Sequence, residues 1–86
     1  MITTARYASK QSRILAKKLT LLCGMYLSRG KKTIADLVFF SRKNGDTRIY
    51  IIKEKEGVPA QLESILITEV MEWNWEPTQM GIAYDH

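Results

Sequence analysis

Apolar residues recur along this chain first with a helical period and later with a strand period. Leu15, Leu19 and Leu22 follow the spacing that places side chains on one face of an α-helix, and Lys10, Arg13 and Lys17 repeat it on the opposite side. Ser9 offers an N-cap and Gly24 a stop, so the pattern predicts a helix from Lys10 to about Leu22 with a buried leucine stripe. Leu21 is the misfit, because it projects close to the basic stripe. A second helical pattern buries Ile34, Leu37 and Val38. Thr33 with Asp36 three residues later makes a capping box with Asp in place of the usual Glu, and Asn44-Gly45 supplies a left-handed exit. Phe39 points away from this second stripe and Phe40 sits at its edge.

Between and after these helices the period shortens. Ile2-Thr3-Thr4-Ala5 and Met25-Tyr26-Leu27 read as short strands. Arg48-Ile49-Tyr50-Ile51-Ile52 is a β-branched run without alternation, as expected of an interior strand covered on both faces. Glu56-Gly57-Val58-Pro59 predicts a turn, followed by an extended segment from about Gln61 to Val70. Met71, Trp73 and Trp75 then alternate with Glu72, Asn74 and Glu76, the pattern of an amphipathic strand. The order strand–helix–strand–helix–strand predicts an α/β fold. Its β-α-β-α-β core would have parallel strands and right-handed crossovers, with one or two antiparallel C-terminal strands added. The chain of 86 residues is expected to form a single α/β domain, residues 1–86.

Charge changes this picture from a generic fold to one with a partner. Residues 1–48 hold 11 Lys and Arg against Asp36 and Asp46, a net charge of +9. Residues 49–86 hold Lys53 and Lys55 against seven acids, a net charge of −5. The basic residues cluster around the first helix (Arg6, Lys10, Arg13, Lys17 and Lys18) and in Ser28-Arg29-Gly30-Lys31-Lys32-Thr33. Loops after consecutive parallel strands leave the sheet at one edge, so the two groups are expected to converge there. The N-terminus of the second helix would add a favourable dipole, and Gly30 lets backbone amides approach a phosphate. Nucleic acid is the expected client.

Other chemistries are poorly supported. One glycine in residues 28–33 matches neither a dinucleotide turn nor a P-loop. The single histidine, His86, is the last residue, and no acid–base pair stands out, so an enzyme is not expected. Cys23 is alone, which excludes an internal disulfide and a cysteine metal cluster; among Leu21, Leu22 and Met25 it reads as a small buried apolar residue rather than a reactive thiol. No metal or cofactor is implied. No apolar run approaches the ~20 residues that span a bilayer, so the expected location is cytoplasmic, without a membrane partner. Trp73 and Trp75 could stack on bases, but Glu72 and Glu76 beside them repel phosphate and favour packing in a core or interface.

The run Thr3-Thr4-Ala5-Arg6, Ser9 and Arg13, then Ser28-Arg29-Gly30-Lys31-Lys32 with Asp36-Leu37, then Glu56-Gly57-Val58-Pro59 resembles the Brix domain, most closely its compact archaeal members. That family opens with a strand ending in a Thr-Thr-Ser-Arg-like run and carries an Arg-Gly-Lys turn before the second helix. A Lys-Gly-Asn-Pro-like turn follows its third strand. The likeness covers roughly residues 2–70. Ala5 and Val58 depart from it, standing where a small hydroxyl residue and Asn are usual. The resemblance implies a non-catalytic ribosome-biogenesis factor that binds ribosomal RNA or its precursor. It also implies a fold of two similar halves, each like the anticodon-binding domain of class II aminoacyl-tRNA synthetases. A chain of 86 residues holds about one half, here the N-terminal one.

The RNA-facing set is expected to be Arg6, Lys10, Arg13, Lys17, Arg29, Gly30, Lys31 and Lys32. The chain is either a single-half protein or a truncated one, or its likeness is to the half-domain fold alone. In the first two cases Phe39, Trp73 and Trp75 become candidates for a protein interface, either with ribosomal or assembly proteins or in a homodimer. Two rival readings stand beside this one. The first is a protein–protein interaction module that uses the apolar and acidic C-terminal half. The second is a DNA-binding regulator, against which the predicted strand between the two helices argues, since it leaves no helix-turn-helix.

Overall fold

The computed structural model describes residues 1–69, 72–77 and 80–82. Elements follow in the order β1 (Ile2–Thr4), α1 (Lys10–Lys18), α2 (Thr20–Cys23), α3 (Ile34–Lys43), β2 (Arg48–Lys55), β3 (Val58–Glu69), β4 (Glu72–Trp75) and β5 (Met80–Gly81). Met71 and His86 lie outside the described residues.

The sheet is ordered β1-β2-β3-β4, with β5 pairing β3. β1 runs parallel to β2, with Thr3 opposite Ile51, and β3 returns antiparallel with Ile51 opposite Glu63. β4 and β5 follow one another antiparallel along the other edge of β3. The expected α/β class, with parallel strands first and antiparallel strands last, is therefore the observed one.

Side-chain alternation along β2 explains its unbroken apolar run. Ile49 and Ile51 join Leu37 and Val38 of α3 and Ile65 and Ile67 of β3 in one buried cluster. Ile52 faces the other way, packing with Ile2 and with Ala16 of α1. The two helices thus cover opposite faces of the sheet, and each face has its own core. The capping box predicted at Thr33 and Asp36 forms, with Asp36 Oδ2 accepting from the Thr33 N–H at 2.9 Å. The β2–β3 turn is tighter than expected. Glu56 and Gly57 at φ 55 and 79 make a two-residue hairpin, and Val58 and Pro59 already belong to β3.

Two expectations require correction. The first helix breaks at Leu19, whose backbone sits at φ −84, ψ 2. There the Thr20 hydroxyl donates to the Lys17 carbonyl at 2.9 Å, a local bond that competes with the helical ladder. Leu22 is 83% exposed and Leu15 and Leu19 are only half-buried, although the three still share one side and line an open apolar groove with Cys23, Tyr50 and Leu62. The fully buried residues of α1 are Ser12 and Ala16, because only small side chains fit where it lies on the sheet. Leu21, the misfit, is exposed.

The second correction concerns Met25-Tyr26-Leu27, which is reduced to a single parallel bridge between Tyr26 and Ile2. The Ile2 N–H donates to the Met25 carbonyl at 2.8 Å and the Leu27 N–H to the Ile2 carbonyl at 2.9 Å. The next rung would use the Leu27 carbonyl, but the Thr3 hydroxyl takes it at 2.6 Å and the ladder ends.

Ile51→Ala empties a fully buried position at the centre of the larger core and should destabilise by about 3 kcal/mol, measured by urea unfolding. Phe39→Ala, on the solvent side of α3, should stay within about 0.5 kcal/mol of the parent.

Candidate nucleic-acid interface

The C-terminal ends of β1 and of the Tyr26 bridge segment lie side by side, and their loops part there. The chain leaving β1 enters α1 on one face; the chain leaving Leu27 enters α3 on the other. Such a divergence opens a crevice at the carboxyl edge of a parallel sheet, a general location for ligand sites. Here it has a volume of about 250 Å³ and is lined by Thr4, Ala5, Tyr7 and Ala8 from the first loop, Arg13 from α1, and Ser28, Arg29, Gly30 and Lys31 from the second loop.

Of the cations expected to face a partner, Arg13, Arg29 and Lys31 line this crevice together with Gly30. Arg6 belongs to the same locality, since its charge contributes to lowering the Arg29 pKa, behind the larger effect of burial. Lys10 is exposed in the first turn of α1. Two others are turned elsewhere. The Lys17 ammonium lies 5.6 Å from the Tyr26 ring centroid. Lys32 donates to the Ser28 carbonyl at 2.9 Å and lies 5.9 Å from the Phe40 ring.

Arg29 is the structural member of the group. Only 8% exposed, it donates from Nη1 to the Thr4 carbonyl at 2.9 Å and from Nε to the Lys32 carbonyl at 2.7 Å. It thereby ties the end of β1 to the second loop, and it carries its charge to the crevice without an acidic partner among the described residues.

Several acids are engaged elsewhere. Arg48 pairs with Glu76 at 2.7 Å and Lys53 with Glu63 at 2.7 Å. Glu54 Oε2 accepts from the Ser9 N–H at 2.9 Å and from the hydroxyls of Ser9 and Ser12. Burial pushes the Glu54 carboxyl up, but the hydrogen bonds of Ser12 and Ser9 together outweigh it and hold it below its ordinary value. Among the described residues, Arg6, Lys10, Arg13 and Lys31 have no ion-pair partner. Their field is left for an external anion.

Both helix N-termini are already served by protein carboxylates, Glu54 at α1 and Asp36 at α3. The dipole contribution expected from the second helix is therefore answered internally. An anion here would meet side-chain cations and loop amides instead.

Tyr7 was not singled out by sequence reasoning, yet it lines the crevice, 82% exposed and at φ 60. Its only sequence signal was an aromatic residue directly after Arg6 in a basic loop. The interface candidates are dispersed. Phe39 is 56% exposed and edge-on to Phe40, Trp73 is half-buried against the α3-side core, and Trp75 is 48% exposed with the Lys53 ammonium 5.1 Å from its ring centroid. Cys23 is half-buried, its thiol pKa pushed up by burial against a smaller opposing effect of the terminal ammonium, as suits a packing residue. Among the described residues no group of His, Cys, Asp and Glu is arranged to hold a metal ion, and no helix is long and apolar enough to cross a membrane.

This fold is shared with two solved structures. A probable ribosomal biogenesis protein from Aeropyrum pernix K1 superposes with a TM-score of 0.79 at 22% identity, over 86% of this chain and 42% of that one. Mil (Mth680), an archaeal Imp4-like protein, superposes with a TM-score of 0.67 at 26% identity, over 76% of this chain and 42% of its own. By sequence, neither a protein family nor a curated protein matches. The architecture is thus Brix-like, and the chain spans about two fifths of the length of these neighbours.

The Glu54 network makes acid stability testable. Its folded-state pKa lies below the ordinary 4.5, so its contribution is complete above that value and is lost as pH falls through the lowered one. Glu54→Gln should lower the thermal midpoint at neutral pH and flatten its fall into the acid range. Asp36 and Glu76, also held low by their hydrogen bonds, would supply the slope that remains.

Proposed function

We propose that this chain is an RNA-binding ribosome-biogenesis factor, equivalent to the N-terminal half of a Brix domain, that holds ribosomal RNA or its precursor on the basic edge of its sheet. The observation that carries this reading is the gathering of Arg6, Arg13 and Lys31, which have no ion-pair partner among the described residues, with buried Arg29 around one crevice. The names of the two structural neighbours support the biological setting, and the Brix-like motif string supports the half-domain assignment.

The role is non-catalytic and cytoplasmic, with no cofactor. Cations neutralise phosphates, the counterions they release drive association, and the rigid sheet edge sets orientation. Lys10, exposed in the first turn of α1, adds to the positive surface, whereas Lys17 and Lys32 are engaged by Tyr26 and by Ser28 and Phe40.

A second reading, an interface with an assembly protein or a second copy of the chain, is favoured by the exposure of Phe39 at 56% and Trp75 at 48%. Concentration-dependent sedimentation without RNA would support it.

The test of the RNA reading is fluorescence anisotropy with a structured ribosomal RNA fragment and a length-matched DNA duplex, each titrated over salt. The RNA should bind more tightly. In the variant carrying Arg13→Glu and Lys31→Glu, the slope of log affinity against log salt should shrink by about two. Arg29 is unsuited to this test, because its removal would also release two backbone carbonyls. An unchanged slope in the double variant would sink the proposed surface.

A further inference from the structure

Cations alone do not account for the crevice, because its walls are chemically divided. Arg13 and Lys31 supply charge, whereas Ala5, Ala8 and the Tyr7 ring supply apolar surface. Tyr7 is the unusual member. A bulky side chain at positive φ is a backbone outlier, held here by what surrounds it. On one side the Ala5 N–H is bonded to the Ile52 carbonyl at 2.9 Å, and on the other the Ser9 N–H is bonded to Glu54 at 2.9 Å. The short link between these anchors turns sharply and presents the ring to solvent, with the Arg6 guanidinium 5.8 Å from its centroid.

Size narrows the ligand. A volume of about 250 Å³ falls below the roughly 300–1,000 Å³ of clefts that enclose drug-sized molecules, so the crevice suits one nucleotide at most. In a duplex the base faces are stacked on each other, and an aromatic side chain reaches a base face only where the nucleotide is unpaired.

We propose that the crevice takes one unpaired nucleotide of an RNA strand, with a backbone phosphate at Arg13 and Lys31 and the base stacked on the Tyr7 ring. This rests on the RNA-binding reading and adds to it a preference for loops, bulges or ends over continuous helix. Tyr7 supplies sequence-tolerant stacking, while the cations supply the salt-dependent part of the affinity.

The test uses a short single-stranded oligoribonucleotide carrying a fluorescent purine analogue that is quenched by stacking, compared with the same strand annealed to its complement. The native chain should bind the single strand more tightly than the duplex and quench it. Tyr7→Ala should weaken single-strand binding by about 5- to 100-fold and abolish the quench, with the salt slope unchanged. Tyr7→Phe should behave as the native chain does. Tyr7→Gly, which also relieves the left-handed backbone, should match Tyr7→Ala, and circular dichroism of each variant checks the fold. If Tyr7→Ala binds and quenches normally, or the duplex binds as well as the single strand, the stacking site is wrong. The basic surface would still stand if the Arg13 and Lys31 reversals lower the slope. Binding of neither RNA form by the native chain overturns both readings.

Discussion

Three residues set the geometry on which everything else depends. β1, Ile2 to Thr4, is buried along its whole length, with β2 on one edge and the Tyr26 bridge on the other. Backbone groups buried this deeply must be hydrogen-bonded, and here that requires chain on both sides of the strand. The first connection therefore moves outward across one face of the sheet, and the second returns over β1 across the other. With α1 and α3 on opposite faces, the loops at the carboxyl ends of β1 and the bridge segment separate and leave the crevice between them. Arg29 then locks this arrangement through the Thr4 and Lys32 carbonyls.

The same residue links stability to function. A guanidinium 8% exposed, with no acidic partner among the described residues, is an expensive placement, and two backbone carbonyls offset only part of its desolvation. Burial lowers its pKa and the nearby Arg6 lowers it further, a sign that local charge is uncompensated. An incoming phosphate would supply that compensation. Glu54, Glu76 and Glu63 are committed to serine hydroxyls, to Arg48 and to Lys53. The charge contrast between the two halves of the sequence therefore survives folding mainly as an unpaired cationic edge.

Several features were legible along the chain because they depend on neighbours a few residues apart. The Ser9 cap, the Thr33–Asp36 box, the left-handed exit at Gly45 and the apolar run of β2 are all local or periodic signals, and all form. The convergence of Arg13, Gly30 and Lys31 followed from element order alone, since parallel strands deliver their loops to one edge. What those signals could not show was the break at Leu19, or that the leucine stripe lines an open groove instead of a closed core.

The chain by itself thus determined the α/β order, most of the helix and strand segments though not the break at Leu19 or the reduction of Met25-Tyr26-Leu27 to one bridge, and the convergence of Arg13, Gly30 and Lys31. Only the tertiary structure decided which cations are free, which one is a buried strut, and that Tyr7 stands exposed between them. Arg29 and Arg13 are indistinguishable as letters. They differ because the Thr4 carbonyl, 25 residues from Arg29 in sequence, arrives within 2.9 Å of one guanidinium. Hydrogen-bonding partners contributed by distant segments, and the burial that goes with them, exist only once the sheet has closed.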